Sequence, residues 1–344
     1  MSVAPDTIAA RLDAVERLPL ATLPTPLEEA PRLAIHAGLD RLLIKRDDRT
    51  GLALGGTKAR KLEYDLPEAV RRGSDLLITI GGTQSNHAAM TAAAARRLGL
   101  GVKLVLGGPD FARFDGNLLL DTLFGAEIRY LVDDDDNDSL AAAMAAWVEE
   151  LRAAGRRPFA LPIGGSTGRG ALGAVQAVRE LATQLGDGPL QIVSAVGSCG
   201  TFAGLWLGAR CFLPGSRVVG ISISRRMDAA TRRAAELAGE AAERLGLGLQ
   251  PNAREFECHD AYAGEYGVPT AAGQEAIRAA ARLEGLVLDP VYTGKAMSGL
   301  LDLARRQVLD PGLPVVFLHT GGTAIAFAFE GEARAEAVVT RIRS

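Results

Sequence analysis

What most narrows the possible folds of this chain is a recurring unit: a short, almost wholly apolar run, a glycine-bearing turn, then an alanine-rich stretch with helical spacing. Residues 75–80 lead into Gly81-Gly82 and a helical stretch over 86–98, and 101–106 follows as a second apolar run. Residues 41–45, 126–131, 191–196, 218–223 and 315–318 read as further strands. Runs without polar alternation fit strands covered on both faces, as parallel sheets require. Strand and helix in alternation predict an α/β protein with doubly wound open sheets, whose ligands gather at the carboxyl ends of the strands. With 344 residues, 48% of them hydrophobic, the chain can bury a large core, and its length suits two lobes.

Further helices are expected over 61–71, 139–154, 171–185, 202–209, 225–245, 270–284 and 295–306, with Pro67 breaking or restarting the first. Residues before proline avoid helical backbone, so 23–27 (Leu-Pro-Thr-Pro-Leu) is expected to run extended along the surface. The acidic run Asp133 to Asp136 reads as a solvated loop and helix start without a function.

A net charge of -3, with acids interspersed among the arginines, argues against nucleic acid as a partner. Cys199, Cys211 and Cys258 are an odd, widely spaced set, poor as a disulfide framework or metal site, and they fit a reducing cytoplasm. His36, His87, His259 and His319 lack metal-ligand spacing and are expected to be satisfied or exposed. The start of the chain lacks the pattern of a signal peptide, and no apolar run reaches membrane-spanning length, so a cytoplasmic protein without membrane attachment is expected.

Four strand ends carry small residues: Gly81-Gly82-Thr83, Gly164-Gly165-Ser166, Gly197 to Thr201 and Gly321-Gly322-Thr323. A glycine-rich turn opening a helix presents unpaired amides and the positive end of the helix dipole, which suits an anion. Gly197-Ser198-Cys199-Gly200-Thr201 is the best phosphate candidate because its two hydroxyls add to the amides. It is neither a P-loop nor a dinucleotide fingerprint. Gln84-Ser85-Asn86-His87 opens the next helix and could hold a carboxylate, although helix capping by Ser85 or Asn86 explains the same residues. In Gly55-Gly56-Thr57-Lys58 a tight turn sets a lysine ahead of a helix. Burial or a cationic neighbour, for which Arg60 and Lys61 are candidates, would lower its pKa and make it a nucleophile toward an aldehyde. Tyr262, Tyr266 and Tyr292 fall in glycine-bearing loops, where a phenol can stack, donate or anchor the loop.

These motifs together resemble the pyridoxal-phosphate enzymes of fold type II, and within them the family of 1-aminocyclopropane-1-carboxylate deaminase and D-cysteine desulfhydrase. The resemblance runs through Pro24-Thr25-Pro26-Leu27-Glu28, Ile44-Lys45-Arg46-Asp47-Asp48, Lys58-Ala59-Arg60-Lys61-Leu62-Glu63, Gln84-Ser85-Asn86-His87, Gly197 to Thr201, Tyr266-Gly267-Val268-Pro269, Asp289 to Lys295 and His319-Thr320-Gly321-Gly322. It implies a tryptophan-synthase-β-like fold, with residues 1–60 and 163–344 as a large cofactor-binding domain and 61–162 as a small substrate-side domain. It also implies a homodimer that binds pyridoxal 5′-phosphate and a small amino acid. Lys58 would form the Schiff base, Asn86 would bond the phenolic oxygen of the cofactor, and Gly197, Ser198, Cys199, Gly200 and Thr201 would hold its phosphate. Thr293 falls where the ring nitrogen finds its partner. Ser85, Asn86, His87 and Tyr266 would meet the substrate, with Lys58, Ser85, Tyr266 and Tyr292 catalytic.

Threonine at 293 resembles the desulfhydrase, whereas the deaminase has a glutamate there that keeps the ring protonated as a strong electron sink. The expected reaction is α,β-elimination from D-cysteine, giving pyruvate, ammonia and hydrogen sulfide. A related lyase or deaminase acting on cysteate, 1-aminocyclopropane-1-carboxylate or a secondary-metabolism amino acid, an amino acid racemase, and a non-catalytic ligand-binding homologue are the alternatives. The chain departs from the family pattern at Thr57, at Ala89-Met90 and at Cys199.

Overall fold

The computed structural model describes residues 3–111 and 113–329. It begins with α1 (Pro5–Asp13), β1 (Leu27–Glu29), α2 (Pro31–Ala37) and β2 (Leu42–Lys45), and α3 (Lys58–Arg71) then leads into a second sheet. That part comprises β3 (Leu76–Gly82), α4 (Asn86–Arg97), β4 (Gly101–Gly108), α5 (Gly116–Leu123), β5 (Glu127–Val132), α6 (Asn137–Ala153) and β6 (Pro158–Ala160). The chain returns through α7 (Gly168–Leu185), β7 (Gln191–Val196), α8 (Gly200–Phe212), β8 (Arg217–Ser222), α9 (Met227–Arg244) and β9 (Glu257–His259). It continues with α10 (Ala271–Glu284), α11 (Thr293–Arg305), β10 (Val315–Leu318) and α12 (Thr323–Ala326).

Two open sheets result. One has the strand order β1-β2-β10-β7-β8-β9, parallel except for β1 against β2. The other, β5-β4-β3-β6, is parallel throughout. Successive strand residues of the larger sheet enter opposite cores. Leu43, Ile192, Val218 and Val316 pack with residues of α7, α8 and α9, while Ile44, Val193, Val219 and Phe317 pack with residues of α2, α10 and α11. This double covering is why those strands lack polar alternation. All seven residues of β3 are buried, whereas β5, at the sheet edge, turns Glu127 and Arg129 outward.

Three expectations change. The segment 23–27 does not simply follow the surface: Thr25 is wholly buried, donates to Asp47 Oδ1 at 2.9 Å and accepts from Lys45 Nζ at its carbonyl. The chain ahead of it forms α1, whose Ile8 and Leu12 join the core against α7 and α8. Pro67 does not interrupt α3. A proline removes the N–H that would reach back four residues, and the freed carbonyl of Glu63 instead accepts the Leu18 N–H at 2.9 Å. The elements absent from the expectations, α1, α2, α5, α12, β1 and β9, are nine residues or fewer. Periodicity has little to register over such lengths.

α3 is fixed from below by charge. Arg60 donates to Asp47 at 2.9 Å and to Glu180 on α7 at 2.8 Å, and Lys45 pairs with Glu180 at 2.8 Å, all within the interior. This network sets the start of the helix, and with it Lys58.

Candidate active site

The carboxyl ends of β3 and β7, with the turn after β6, open on a cavity of about 380 Å³ lined by residues from both sheets. Gly81 and Gly82 reach it from the small sheet, and Gly197 to Cys199 reach it from the large one. Gly164 contributes from the turn after β6, and Thr320 from the turn after β10.

Lys58 enters as the first residue of α3. Its turn is close-packed: a Cβ on Gly55 would stand 1.8 Å from the Asp48 carbonyl oxygen, and one on Gly56 2.4 Å from Met90 Cε. Both glycines have positive φ, +82° and +147°, so a larger residue would be strained as well as crowded. The Lys58 Nζ donates to the Gly164 carbonyl at 3.1 Å and approaches Ser198 Oγ at 3.4 Å. Lys61, one turn later and buried, donates to the same carbonyl at 3.2 Å and to Ser166 Oγ at 3.1 Å. Burial lowers the Lys58 amine to about 8, outweighing a hydrogen-bond contribution from Lys61 that acts the other way. Burial, with the Lys58 charge beside it, holds Lys61 well below the usual lysine range. Of the two cationic neighbours proposed from sequence, Lys61 is therefore the one in contact, while Arg60 turns to its carboxylates.

The loop Gly197 to Thr201 runs into α8, whose first amides have no acceptor within the helix. Cys199 takes the left-handed conformation (φ 71°) at the N-cap, buried, with Sγ 3.6 Å from the Gly197 carbonyl. Burial raises its thiol pKa. A Cβ on Gly200 would stand 2.8 Å from both Lys61 Nζ and Ser166 Oγ, so a bare residue leaves that concavity open. Thr201 lines the cavity beside it, and Ser166 donates to Ser198 Oγ at 2.8 Å.

Ser85 caps α4, accepting from the Ala88 N–H at 3.2 Å, and lines the cavity as well, so capping and cavity lining coexist. Asn86 faces the cavity while its Oδ1 accepts from Asn117 Nδ2 at 2.8 Å. His87 departs from the expectation for the histidines. It is buried to 1% exposure, and neither ring nitrogen has a hydrogen-bond partner. Burial, and then the charges of Lys58 and Lys61, keep its imidazole neutral by lowering its pKa well below the ordinary value. His36, His259 and His319 are hydrogen-bonded.

Tyr262 is a loop anchor, donating to Asp302 Oδ2 at 2.5 Å. Tyr266 and Tyr292 line the cavity with their phenol oxygens 2.6 Å apart. Asp289 sets the second of these, accepting the amides of Val291, Tyr292 and Thr293 at 2.7–3.0 Å. Thr293 is wholly buried behind the cavity lining; its hydroxyl donates to Asp289 Oδ2 at 2.6 Å and accepts from the Asp289 N–H at 2.7 Å.

At the departures from the family pattern, Thr57 donates its amide to the Thr320 carbonyl at 2.9 Å, and Met90 packs under Gly56. The acidic run also holds more than was expected of it. Asp136 caps α6, in keeping with the helix start read there, but Asp135, Asp136 and Asn137 also line the cavity. Arg225 lines it too, its Nε donating to the Gly197 carbonyl at 2.9 Å. The available signal was positional, since both segments follow the carboxyl ends of parallel strands.

A family model described as pyridoxal-phosphate dependent enzyme matches residues 18–321. The chain belongs to that family; its cofactor is pyridoxal 5′-phosphate, and its two sheets are the fold type II, tryptophan-synthase-β-like arrangement. It is 40% identical over 321 residues to the D-cysteine desulfhydrase of Salmonella choleraesuis, covering 91% of this chain and 96% of that one. A Pyrococcus horikoshii protein provisionally named 1-aminocyclopropane-1-carboxylate deaminase is 42% identical over 322 residues, 94% of this chain and 96% of that one. A crystal structure of an ACC deaminase homologue superposes with a TM-score of 0.88 at 40% identity, over 96% of this chain and 98% of that one.

The residues fit the cofactor. An amine made nucleophilic by burial, a helix-opening loop whose concavity a single Cβ would fill, and an imidazole with two unpartnered nitrogens share one cavity. Among the described residues no cluster suited to a metal ion occurs, and no helix is long and apolar enough to cross a membrane.

Proposed function

We propose that the chain catalyses α,β-elimination of D-cysteine, with water consumed and pyruvate, ammonia and hydrogen sulfide released. The observation that carries this reading is the pair of phenols, Tyr266 and Tyr292, hydrogen-bonded at 2.6 Å in the wall of the cavity that Lys58 enters. Bound pyridoxal phosphate supplies an electron sink for the electrons left on Cα when its proton departs.

The protein supplies the rest. Lys58 tethers the cofactor and, once free of it, its Nζ takes the α-proton; a lowered pKa suits an amine that must act as a base. The amides and hydroxyls of Gly197 to Thr201, together with Lys61, hold the phosphate. Ser85 and the free amides at the start of α4 hold the substrate carboxylate, and Asn86 serves the phenolic oxygen of the cofactor. The phenol pair gives a proton to the departing sulfur, so that the breaking Cβ–S bond releases hydrogen sulfide. Thr293 puts a neutral hydroxyl, bonded to Asp289 behind the cavity lining, at the position where the deaminase carries a glutamate, and the lack of that charge suits a reaction in which a good leaving group departs soon after the proton. We further assign residues 1–60 and 163–344 to a cofactor-binding domain and 61–162 to a smaller one, in a cytoplasmic homodimer; the division of the strands between two sheets supports the domain assignment.

The test is product analysis of the purified holoenzyme with D-cysteine, L-cysteine, D-serine, L-cysteate and 1-aminocyclopropane-1-carboxylate. Sulfide and pyruvate in equal amounts, fastest from D-cysteine, are expected. Faster turnover of the cyclopropane substrate, or formation of only the mirror-image amino acid, overturns the reading.

A further inference from the structure

Lys295 is wholly buried in the first turn of α11, three residues after Tyr292. Its Nζ donates to two backbone carbonyls from separate segments, Ile223 at 3.2 Å and Glu265 at 3.1 Å. Ile223 directly follows β8 and lines the cavity; Glu265 directly precedes Tyr266. The Ile223 carbonyl also accepts the Gly264 N–H at 3.3 Å, and a Cβ on Gly264 would stand 3.6 Å from the Lys295 Nζ. The loop bearing Tyr266 is thus drawn tightly over one ammonium.

Packing does not account for this residue. Burying an ammonium against neutral acceptors costs more than burying a methionine of similar size, and among the described residues Lys295 has no carboxylate within ion-pair distance. What it does accomplish is registration. Each of the three segments meeting at its Nζ reaches the cavity: the strand end through Ile223 to Arg225, the loop through Tyr266 and the helix start through Tyr292.

We propose that Lys295 is a positioning residue for Tyr266: by gripping the Ile223 and Glu265 carbonyls it holds the loop over residues 260–268 where the Tyr266 phenol meets that of Tyr292. The catalytic part of the claim rests on the elimination proposed above; the geometric part does not.

The test is a double-mutant cycle of Lys295→Met and Tyr266→Phe on holoenzyme, read by kcat and KM for D-cysteine, cofactor absorbance and hydrogen exchange. Lys295→Met is expected to raise exchange across 260–268 while exchange across α3 and α8 and the cofactor content hold. It should lower kcat by on the order of 10²-fold with a smaller change in KM. In the Tyr266→Phe background the same change should lower kcat less than about twofold, because residues acting as a unit are not additive. Lys295→Arg should recover part of the loss. Equal costs in both backgrounds, or unchanged exchange across 260–268, overturn the proposal. If Lys295→Met does not accumulate as folded protein, Lys295→Gln goes through the same cycle and decides by the same criteria. Failure of the wild-type protein to form pyruvate from D-cysteine refutes the proposed elimination, and hydrogen exchange alone then decides the role of Lys295.

Discussion

Tyr266 and Tyr292 join the two sheets across the cavity through one hydrogen bond. A Cβ on Gly82, at the end of the small sheet, would stand 2.8 Å from the Tyr266 ring, and one on Gly197, at the end of the large sheet, 3.5 Å from the Tyr292 ring. Each phenol therefore lies against a different sheet, and their contact closes the gap between them.

Tyr292→Phe should lower kcat for the proposed D-cysteine elimination by on the order of 10²–10⁴-fold, the usual worth of a positioned proton donor, with cofactor binding retained. Burial raises both phenols, Tyr292 well above the usual value, so each keeps its proton through neutral pH. An alkaline limb centred below about pH 10, the ordinary tyrosine value, in the wild-type pH–kcat profile and absent from Tyr292→Phe would contradict this.

Lys58→Ala should abolish turnover and any attachment of cofactor that survives borohydride reduction and denaturation. Because burial lowers the wild-type amine to about 8, its uncharged fraction grows as pH rises through that value. The rate of cofactor uptake by apoprotein should therefore climb with pH and level off above about 8. A rise that continues past the ordinary lysine value would show the amine to be unperturbed.

Glu180→Ala leaves Arg60 and Lys45 short of a carboxylate in the interior and should cost about 3–5 kcal/mol in denaturant unfolding, as breaking a buried ion pair does. Burial acts to raise the Glu180 carboxyl, but the hydrogen bonds and charges of Arg60 and Lys45 outweigh it and hold it below the usual value. A carboxyl depressed in the folded state stabilises above its unfolded pKa, and that share is lost as pH falls through the folded one. The gap between wild type and variant should accordingly narrow in acid.

Asp121 carries the opposite sign. It is wholly buried on α5 with neither carboxyl oxygen hydrogen-bonded, and burial pushes its pKa up to about 8. A raised carboxyl favours folding in acid, and this contribution is lost as pH rises toward the folded value. Asp121→Asn should match the wild-type Tm near pH 4 and exceed it increasingly toward pH 8. A constant difference across that range would exclude the mechanism.

Much of the site was legible because its parts are local. Lys58, Ser85, Asn86 and the loop Gly197 to Thr201 each lie where a strand end or turn meets a helix start, a junction marked by glycine and small polar residues. The strands of the large sheet were legible for a related reason, since covering on both faces removes polar alternation. What stayed hidden depends on distant contacts. No spacing shows that Lys61, rather than Arg60, turns toward Lys58, because that choice is made by Asp47 and Glu180. Nor does the acidic run at 133–136 show that Asp135 meets the cavity, which requires β5 to end beside it. The continuity of α3 through Pro67 depends on an acceptor's partner 45 residues upstream, at Leu18.

That partnership limits how far the amino terminus can be shortened. Leu18 answers the Glu63 carbonyl, and the amides of Leu20 and Ala21 donate to the Glu63 side chain at 3.0 and 2.8 Å. Trimming through Ala21 would strip both halves of Glu63 of these donors and loosen the helix that carries Lys58, so these three residues serve as a splint on a proline-bearing rod.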